Sequence, residues 1–268
     1  MKIMTINTHS YIEDDAEKKL DIFIDTIIRI KPDIIAMQEI NQKADDSFFN
    51  EDKNIGANLG IKLKNNNFAL RALKKINTEN EYRLFWVGIK KGFEIFDEGL
   101  CFLSKIPIDD CKTFLLSETD DEKNWKKRMA LGIKSNDEWF YNVHFSRWDD
   151  EEEPFYNQWK NFKNNISSNE TVWVMGDFNA PSNLKCEGYK LVLSGGFYDT
   201  YNLAKNKDDG YTAKKSIDGW KDKKESSQKM RIDYIFTNTK REIESSYIVF
   251  NGKNEQVISD HFGIILSY

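Results

Sequence analysis

Two periods organise the apolar positions along this chain. Residues 3–6 read as a buried strand, and Ala16, Leu20, Phe23, Ile24, Ile27 and Ile28 then recur at i, i+4, i+7, i+8, i+11 and i+12. That recurrence is one face of an amphipathic helix. Pro32 stops it, because proline cannot donate the next helical hydrogen bond. Ile34-Ile35-Ala36-Met37 follows at once, a short run suited to a strand covered on both faces. The chain therefore opens β-α-β. Residues 41–80 are polar and rich in Asn and Lys, so loops and a short helix are expected there.

Further short apolar runs follow at Leu84–Val87, Leu100–Leu103, Trp139–Val143, Val172–Met175, Ile232–Phe236 and Phe262–Leu266. Phe155, Trp159 and Phe162 recur at helical spacing behind Pro154, a residue favoured in a first helical turn. Strands that recur with few long helices point to stacked sheets with helices outside, an α/β sandwich. No internal repeat is visible, and a single domain over residues 1–268 is expected. The polar segment Lys205–Lys229, with Gly210 and Gly219, reads either as a functional loop or as a disordered insert.

Composition changes this picture little. The chain is 40% hydrophobic and 13% aromatic, enough for a large core at 268 residues. Its net charge of −5 argues against avid non-specific binding to nucleic acid, whose phosphates call for Lys and Arg. The three cysteines, Cys101, Cys111 and Cys186, are odd in number and show no CxxC spacing, which disfavours a disulfide framework or a thiolate zinc site. A reduced, cytoplasmic protein fits. A strand pattern that starts at Ile3 leaves no room for a signal peptide, and no apolar run nears the roughly 18 residues of a membrane span.

Polar residues gather where the apolar runs end. Each of the three histidines, His9, His144 and His261, sits at such an edge. A lone histidine is more often a satisfied core residue, but nearby carboxylates favour a chemical role for His144 and His261, while His9 stays open. Glu39 follows the run 34–37, Asp177 and Asn179 follow the run 172–175, Asp233 opens a later run, and Asp260 precedes His261. Any one of these reads as a loop cap. Together with Asn7 they form a set of hard oxygen donors at strand ends, suited to Mg²⁺ or Mn²⁺ and to a phosphoryl substrate. Phosphoryl transfer needs positioning and charge stabilisation more than covalent chemistry.

The ordered series Thr5-Ile6-Asn7, Gln38-Glu39, Asn142-Val143-His144, Gly176-Asp177-Phe178-Asn179, Arg231-Ile232-Asp233-Tyr234 and Ser259-Asp260-His261 resembles the endonuclease/exonuclease/phosphatase family over nearly the whole chain. The resemblance implies a four-layered α/β/β/α sandwich with two packed mixed β-sheets and a site at one end. Ile6 departs from the Trp that many members carry there, and local repacking is expected. The resemblance also implies roles. Glu39 is the principal metal ligand, with Asn7 and Asp260 nearby. Asp177 orients or deprotonates the attacking water, and Asn179 holds phosphate or water. His261 stabilises developing charge and is oriented by Asp233. His144 lies across the phosphate, paired with Glu98.

The ester is the finer question. Trp148-Asp149-Asp150-Glu151-Glu152-Glu153-Pro154-Phe155 follows His144 closely, and Asp97-Glu98-Gly99-Leu100 precedes a strand. The acidic run reads either as a solvated helix N-terminus or as a sugar-binding wall that would repel a nucleic-acid backbone. With Asn7-Thr8-His9-Ser10, Glu187-Gly188-Tyr189, Tyr198-Asp199-Thr200-Tyr201, Ile217-Asp218-Gly219-Trp220 and Phe250-Asn251-Gly252-Lys253, these segments are similar to bacterial maltose 6′-phosphate phosphatases. That narrower resemblance implies a phosphomonoesterase that releases phosphate from a phosphorylated sugar. Glu98, Trp148, Asp149, Asp150, Asp218 and Trp220 are then candidate substrate contacts, and neither nucleic acid nor membrane is expected as partner. Trp125 with Lys126, Lys127 and Arg128 is read as a surface turn with snorkelling lysines. Two alternatives stand: a phosphodiesterase of the same family acting on nucleic acid or a lipid head group, and a non-catalytic scaffold that binds a phospho-ligand or a protein.

Overall fold

The opening β-α-β unit forms as its apolar pattern predicts. The structure, a computed structural model, describes residues 1–50, 52–77, 81–183, 187–214, 217, 220 and 228–268. Cys186, Asp218 and Gly219 thus lie outside the described residues. In chain order the elements are β1 (Lys2–Asn7), α1 (Ala16–Ile30), β2 (Ile34–Lys43), β3 (Ile55–Gly60), α2 (Phe68–Ile76), β4 (Arg83–Gly92), β5 (Phe96–Ser104), β6 (Asp110–Leu115), β7 (Met129–Ser135) and β8 (Glu138–His144). They continue with α3 (Phe155–Asn165), β9 (Thr171–Asp177), α4 (Glu187–Ser194), β10 (Tyr198–Asp199), α5 (Thr200–Leu203), β11 (Ala204–Lys207), β12 (Asp233–Thr237), β13 (Ile243–Val249) and β14 (Gly263–Ser267).

Among the described residues the strands form two mixed sheets. One has eight strands in the order β11-β13-β14-β1-β2-β5-β4-β3, and the other has six in the order β10-β12-β9-β8-β7-β6. Alternation along β1 shows how they stack. Met4 and Ile6 join Leu20, Phe23 and Ile27 of α1 and Phe68 and Leu73 of α2 in an outer core. Ile3, one residue out of phase, joins Phe102, Phe140, Trp173 and Met175 between the sheets. A third core packs Phe155, Trp159 and Phe162 of α3 onto the far face of the six-stranded sheet. The fold is therefore a four-layered α/β/β/α sandwich. Ile6 is fully buried under α1, so an aliphatic side chain fills this place and the site-bearing Asn7 follows it directly.

The layer between the sheets turns polar at one end. Gln38 Nε2 donates to Asn142 Oδ1 (2.6 Å) and Thr5 Oγ1 (3.1 Å), and Asn142 Nδ2 donates to the Met37 and Cys101 carbonyls (2.9 and 3.0 Å). All of these side chains are buried. The bridge ties β8 of one sheet to β2 and β5 of the other, directly beneath the strand ends that carry the conspicuous carboxylates and histidines.

Three expectations need correction. Residues 41–80 contain not only a short helix but also β3, which pairs parallel to β4 as an edge strand. Its sequence, Ile-Gly-Ala-Asn-Leu-Gly, is mostly half-exposed and has few of the β-branched residues that mark strands. Of the segment Lys205–Lys229, residues 215–216, 218–219 and 221–227 lie outside the described residues, and the described part is not all loop. It begins in β11, and further on Thr212 accepts hydrogen bonds from the Ile232 and Asp233 amides while Ala213, Ile217, Trp220, Met230 and Ile232 form a small apolar cluster. Arg128 is not part of a solvated turn, since it is only 7% exposed. Among the described residues no helix is long and apolar enough to cross a membrane.

Candidate active site

Strand register assembles the centre. Asp177 closes β9 with His144 beside it on β8 and Asp233 opposite it on β12. Asn7 ends β1 in the other sheet, and Glu39 rides a bulge in β2 between Met37 and Ile40. The bulge places Glu39 at φ 52, and Asn179 sits at φ 47. Left-handed backbone costs a non-glycine residue on the order of 1–2 kcal/mol, and such cost collects where a side chain must be aimed. Gly176, at φ 142, has no such latitude for replacement: a Cβ there would overlap the Val143 carbonyl oxygen.

The carboxylates face one another through Asn7. Its Nδ2 donates to Glu39 Oε1 (2.8 Å) and Asp177 Oδ2 (3.1 Å). The amide is held in that orientation because its Oδ1 accepts from the His9 backbone N–H (3.2 Å). His144 Nε2 lies 3.8 Å from Glu39 Oε1 and 3.6 Å from Asp177 Oδ2. His261 Nε2 lies 3.7 Å from Asp177 Oδ2 on the other side, while its Nδ1 meets Asp233 Oδ2 at 3.0 Å. Asn179 donates its side-chain N–H to the Phe145 carbonyl (3.1 Å) and accepts from Trp220 Nε1 (3.2 Å). Glu39, His144, Asp177, Asn179, Trp220 and His261 line a cavity of about 1030 Å³.

The two imidazoles are held in opposite states. Burial, then the cationic Arg128 and Lys90, keep His144 well below its usual pKa, so it is neutral at pH 7. Burial also opposes charge on His261, but Asp233 and Asp177 outweigh it and hold this ring well above its usual range. Burial and the neighbouring Asp233 push the Asp177 carboxyl up to about 7, against the pull of His261. Glu39 is likewise raised by burial and by the charge of Glu98.

This donor set fits a small hard cation. Glu39, His144 and Asp177 each offer one ligand atom within 4.8 Å of the others. Two inward-facing acids raised in pKa call for positive charge between them, and carboxylate oxygens favour Mg²⁺ or Mn²⁺. Asn7 is oriented as a donor to both acids rather than as an oxygen ligand. Asp260 falls in a separate group with His9 and Glu13: His9 Nδ1 contacts Glu13 Oε1 at 2.7 Å and Asp260 Oδ1 at 3.8 Å.

The remaining expected residues divide. Glu98 lines the cavity but pairs with Lys90 Nζ (3.0 Å), not with His144. Asp149 lines it beside Arg147, and Asp150 lines it while paired to Lys126 (2.9 Å). Trp220 reaches the cavity, whereas Trp148 packs behind it with ring centroids 4.8 Å apart. Trp148 therefore supports a wall rather than forming one. The acidic run ends just before the Pro154 cap of α3 and puts no acid in the helix's first turn, and buried Glu153 accepts from the Glu118 and Thr119 amides. Tyr198–Tyr201 is structural: Asp199 holds Arg231 (2.5 Å) and the Tyr189 hydroxyl (2.7 Å). Lys90 and Glu13 escaped the sequence reading and Arg128 was read only as part of a surface turn, since each stands next to other charged residues in stretches that look like ordinary surface.

Residues 4–261 match the model of the endonuclease/exonuclease/phosphatase family. The chain belongs to this family. Its members are hydrolases of phosphate esters, nucleases and phosphatases among them, and they depend on metal. A solved family protein from Leptotrichia buccalis is 30% identical, with a TM-score of 0.88 over 100% of this chain and 98% of that one. A mannosyl-6-phosphatase from Bacteroides thetaiotaomicron (18% identity, TM-score 0.64, 100% and 98% covered) and a 3′-5′ exonuclease from Neisseria meningitidis (16%, 0.64, 100% and 99%) share the fold. No curated protein sequence matches the chain.

Proposed function

We propose that this family member is a divalent-metal-dependent phosphomonoesterase that releases inorganic phosphate from a phosphorylated sugar such as maltose 6′-phosphate, acting as a single domain in the cytoplasm on a small solute rather than on nucleic acid or a membrane. The observation that carries this reading is the make-up of the cavity wall. Beyond the polar centre the cavity is lined by Asp149, Asp150, Glu151 and Glu152 with Trp125 and Trp220, and by Arg147 and Lys126, which pair with Asp149 and with Asp150 and Glu152. Carboxylates accept hydroxyl donors and indoles pack on sugar rings, whereas an acidic wall repels a polynucleotide. A fold shared with both a sugar phosphatase and an exonuclease leaves the choice to such details.

In this reading Glu39, with Asp177 and His144 close by, would hold Mg²⁺ or Mn²⁺, which supplies Lewis-acid polarisation of the phosphoryl oxygens. Asp177 takes a proton from the attacking water. The water oxygen forms the new P–O bond in line as the bond to the sugar oxygen breaks. His261, kept charged by Asp233, presents its Nε2–H to the developing charge, and Asn179 holds phosphate or water.

Phosphate release from a panel of sugar phosphates, with and without Mg²⁺, tests this beside plasmid nicking by the same preparation. Metal-dependent release from maltose 6′-phosphate, lost in Asp177→Asn, is expected. Nicking without sugar-phosphate turnover would move the assignment to a phosphodiesterase.

A further inference from the structure

Phe93 and Trp125 are 67% and 63% exposed, and among the described residues they are the large exposed apolar side chains that line the catalytic cavity. A lone exposed aromatic needs no explanation, but apolar surface gathered at a cavity marks a place that a ligand covers.

The backbone holds both rings in place. Phe93 sits at the tip of the β4–β5 hairpin, where the Ile95 N–H donates to the Gly92 carbonyl (3.2 Å). The two residues inside this turn, Phe93 and Glu94, are left-handed, with φ 49 and 61. That conformation suits Asn and Gly and suits a bulky ring poorly. Burial does not offset the cost at Phe93, and uncompensated strain of this kind collects at ligand sites. The Trp125 turn is pinned from beneath, since buried Lys90 Nζ and buried Arg128 Nη1 both donate to the Trp125 carbonyl (2.8 Å each). The Lys91 N–H ties the hairpin to the same turn through the Glu122 carbonyl (2.7 Å). The indole is thus fixed without being covered. Lys126 Nζ, 5.3 Å from the indole centroid, is held by Asp150 and Glu152, so carboxylates border the ring.

Distance along the hairpin decides what these rings can reach. Lys90 and Glu98 face each other on β4 and β5 and border the polar centre, for they line one small void with Glu39 and His144. Phe93 follows Lys90 by three residues, which at about 3.4 Å per residue carries it about 10 Å beyond. A sugar ring whose phosphate lies at the centre occupies that interval, and a second ring linked to it meets the aromatics. The cavity volume of about 1030 Å³ stands at the top of the range of roughly 300–1,000 Å³ for ligand pockets, which suits a substrate of more than one ring.

We propose that Phe93 and Trp125 form a subsite for the unphosphorylated ring of a disaccharide phosphate, so that the protein selects phosphorylated disaccharides over monosaccharide phosphates. The C–H faces of that ring pack on the aromatics, and Asp150 and Glu152 accept from its hydroxyls. This deepens the sugar-phosphatase reading and rests on it.

The test measures kcat/KM for maltose 6′-phosphate and glucose 6-phosphate with the full-length Mg²⁺-loaded protein, for wild type, Phe93→Asn, Phe93→Trp and Trp125→Ala. Wild type favours the disaccharide. Phe93→Asn and Trp125→Ala each lower the ratio of the two kcat/KM values about tenfold, through KM for the disaccharide, and Phe93→Trp keeps it. Asn suits the turn, so Phe93→Asn melts no lower than wild type. A preference lost at a retained melting temperature is a result that a merely structural Phe93 does not give. A wild type without preference, or a ratio that neither substitution moves, overturns the subsite while the sugar-phosphatase reading stands. Hydrolysis of neither sugar phosphate takes both down. Wild type that sediments with phosphatidylcholine vesicles while Phe93→Asn does not assigns the aromatic pair to a lipid surface, and that also overturns the proposal.

Discussion

Asp233 receives the ring of His261 through Nδ1, 3.0 and 3.2 Å from its two carboxylate oxygens, and so turns Nε2 toward Asp177. Register fixes this relation, since Asp233 stands opposite Asp177 on the neighbouring strand. Asp233→Asn keeps the size of the partner and removes its charge. kcat should fall about 100-fold, in the range for a disturbed proton-handling group. The sign of the pH effect follows: with its main source of positive stabilisation gone, His261 deprotonates at lower pH, so the alkaline limb of the activity profile moves downward. A variant with unchanged kcat and an unmoved alkaline limb shows that Asp233 does not tune His261.

Glu39 and Asp177 share the side-chain N–H pair of Asn7. Dialysis against a chelator should abolish turnover, and Mg²⁺ or Mn²⁺ should restore it. Glu39→Gln halves the local acid pair, so the metal concentration for half-maximal activity should rise about tenfold or more. Full activity in chelator, or an unshifted metal titration, removes Glu39 from the ligand set.

His9 and Glu13 form a pH-dependent clasp between the β1–α1 connection and the Ser259–His261 turn, because Glu13 also accepts from the Asp260 amide (3.2 Å). Burial lowers the His9 pKa, but the Glu13 hydrogen bond and nearby acids prevail and raise it from 6.5 to about 9. A raised histidine stabilises the fold fully below its unfolded pKa, and the contribution is lost as pH rises through the folded value. Metal-free protein should therefore lose stability on the order of 2 kcal/mol between about pH 6.5 and 9. Thermal melts across that range check this. The His9→Gln variant should lack the slope, and an equal slope in both proteins refutes the clasp.

Asn142 serves three partners between the sheets. Asn142→Ala leaves the Met37 and Cys101 carbonyls and the Gln38 amide without it, at a cost of about 2–3 kcal/mol. Urea unfolding should show the loss as a lower midpoint at similar slope. Activity per folded molecule should fall too, since Glu39 follows Gln38 directly. A midpoint within error of wild type means water replaces the side chain.

The sequence alone determined the layers and the identity of the central groups. The helical period from Ala16 to Ile28 and the short runs at Ile34, Trp139 and Val172 are local signals, and they survive because one face of each element must be buried. Glu39, Asp177, Asn179, Asp233 and His261 were legible as a set because each ends or opens such a run in a fixed order. Edge strands such as β3 were not, as half-exposed strands need little apolar sequence. Pairing also lay beyond the chain's local pattern. Glu98 meets Lys90 rather than His144, Trp148 backs Trp220, and Asp260 faces His9, because strand register and loop packing set distances that sequence separation does not encode. Arg128 shows this most clearly: in the chain it follows two lysines, and only the tertiary fold removes it from water.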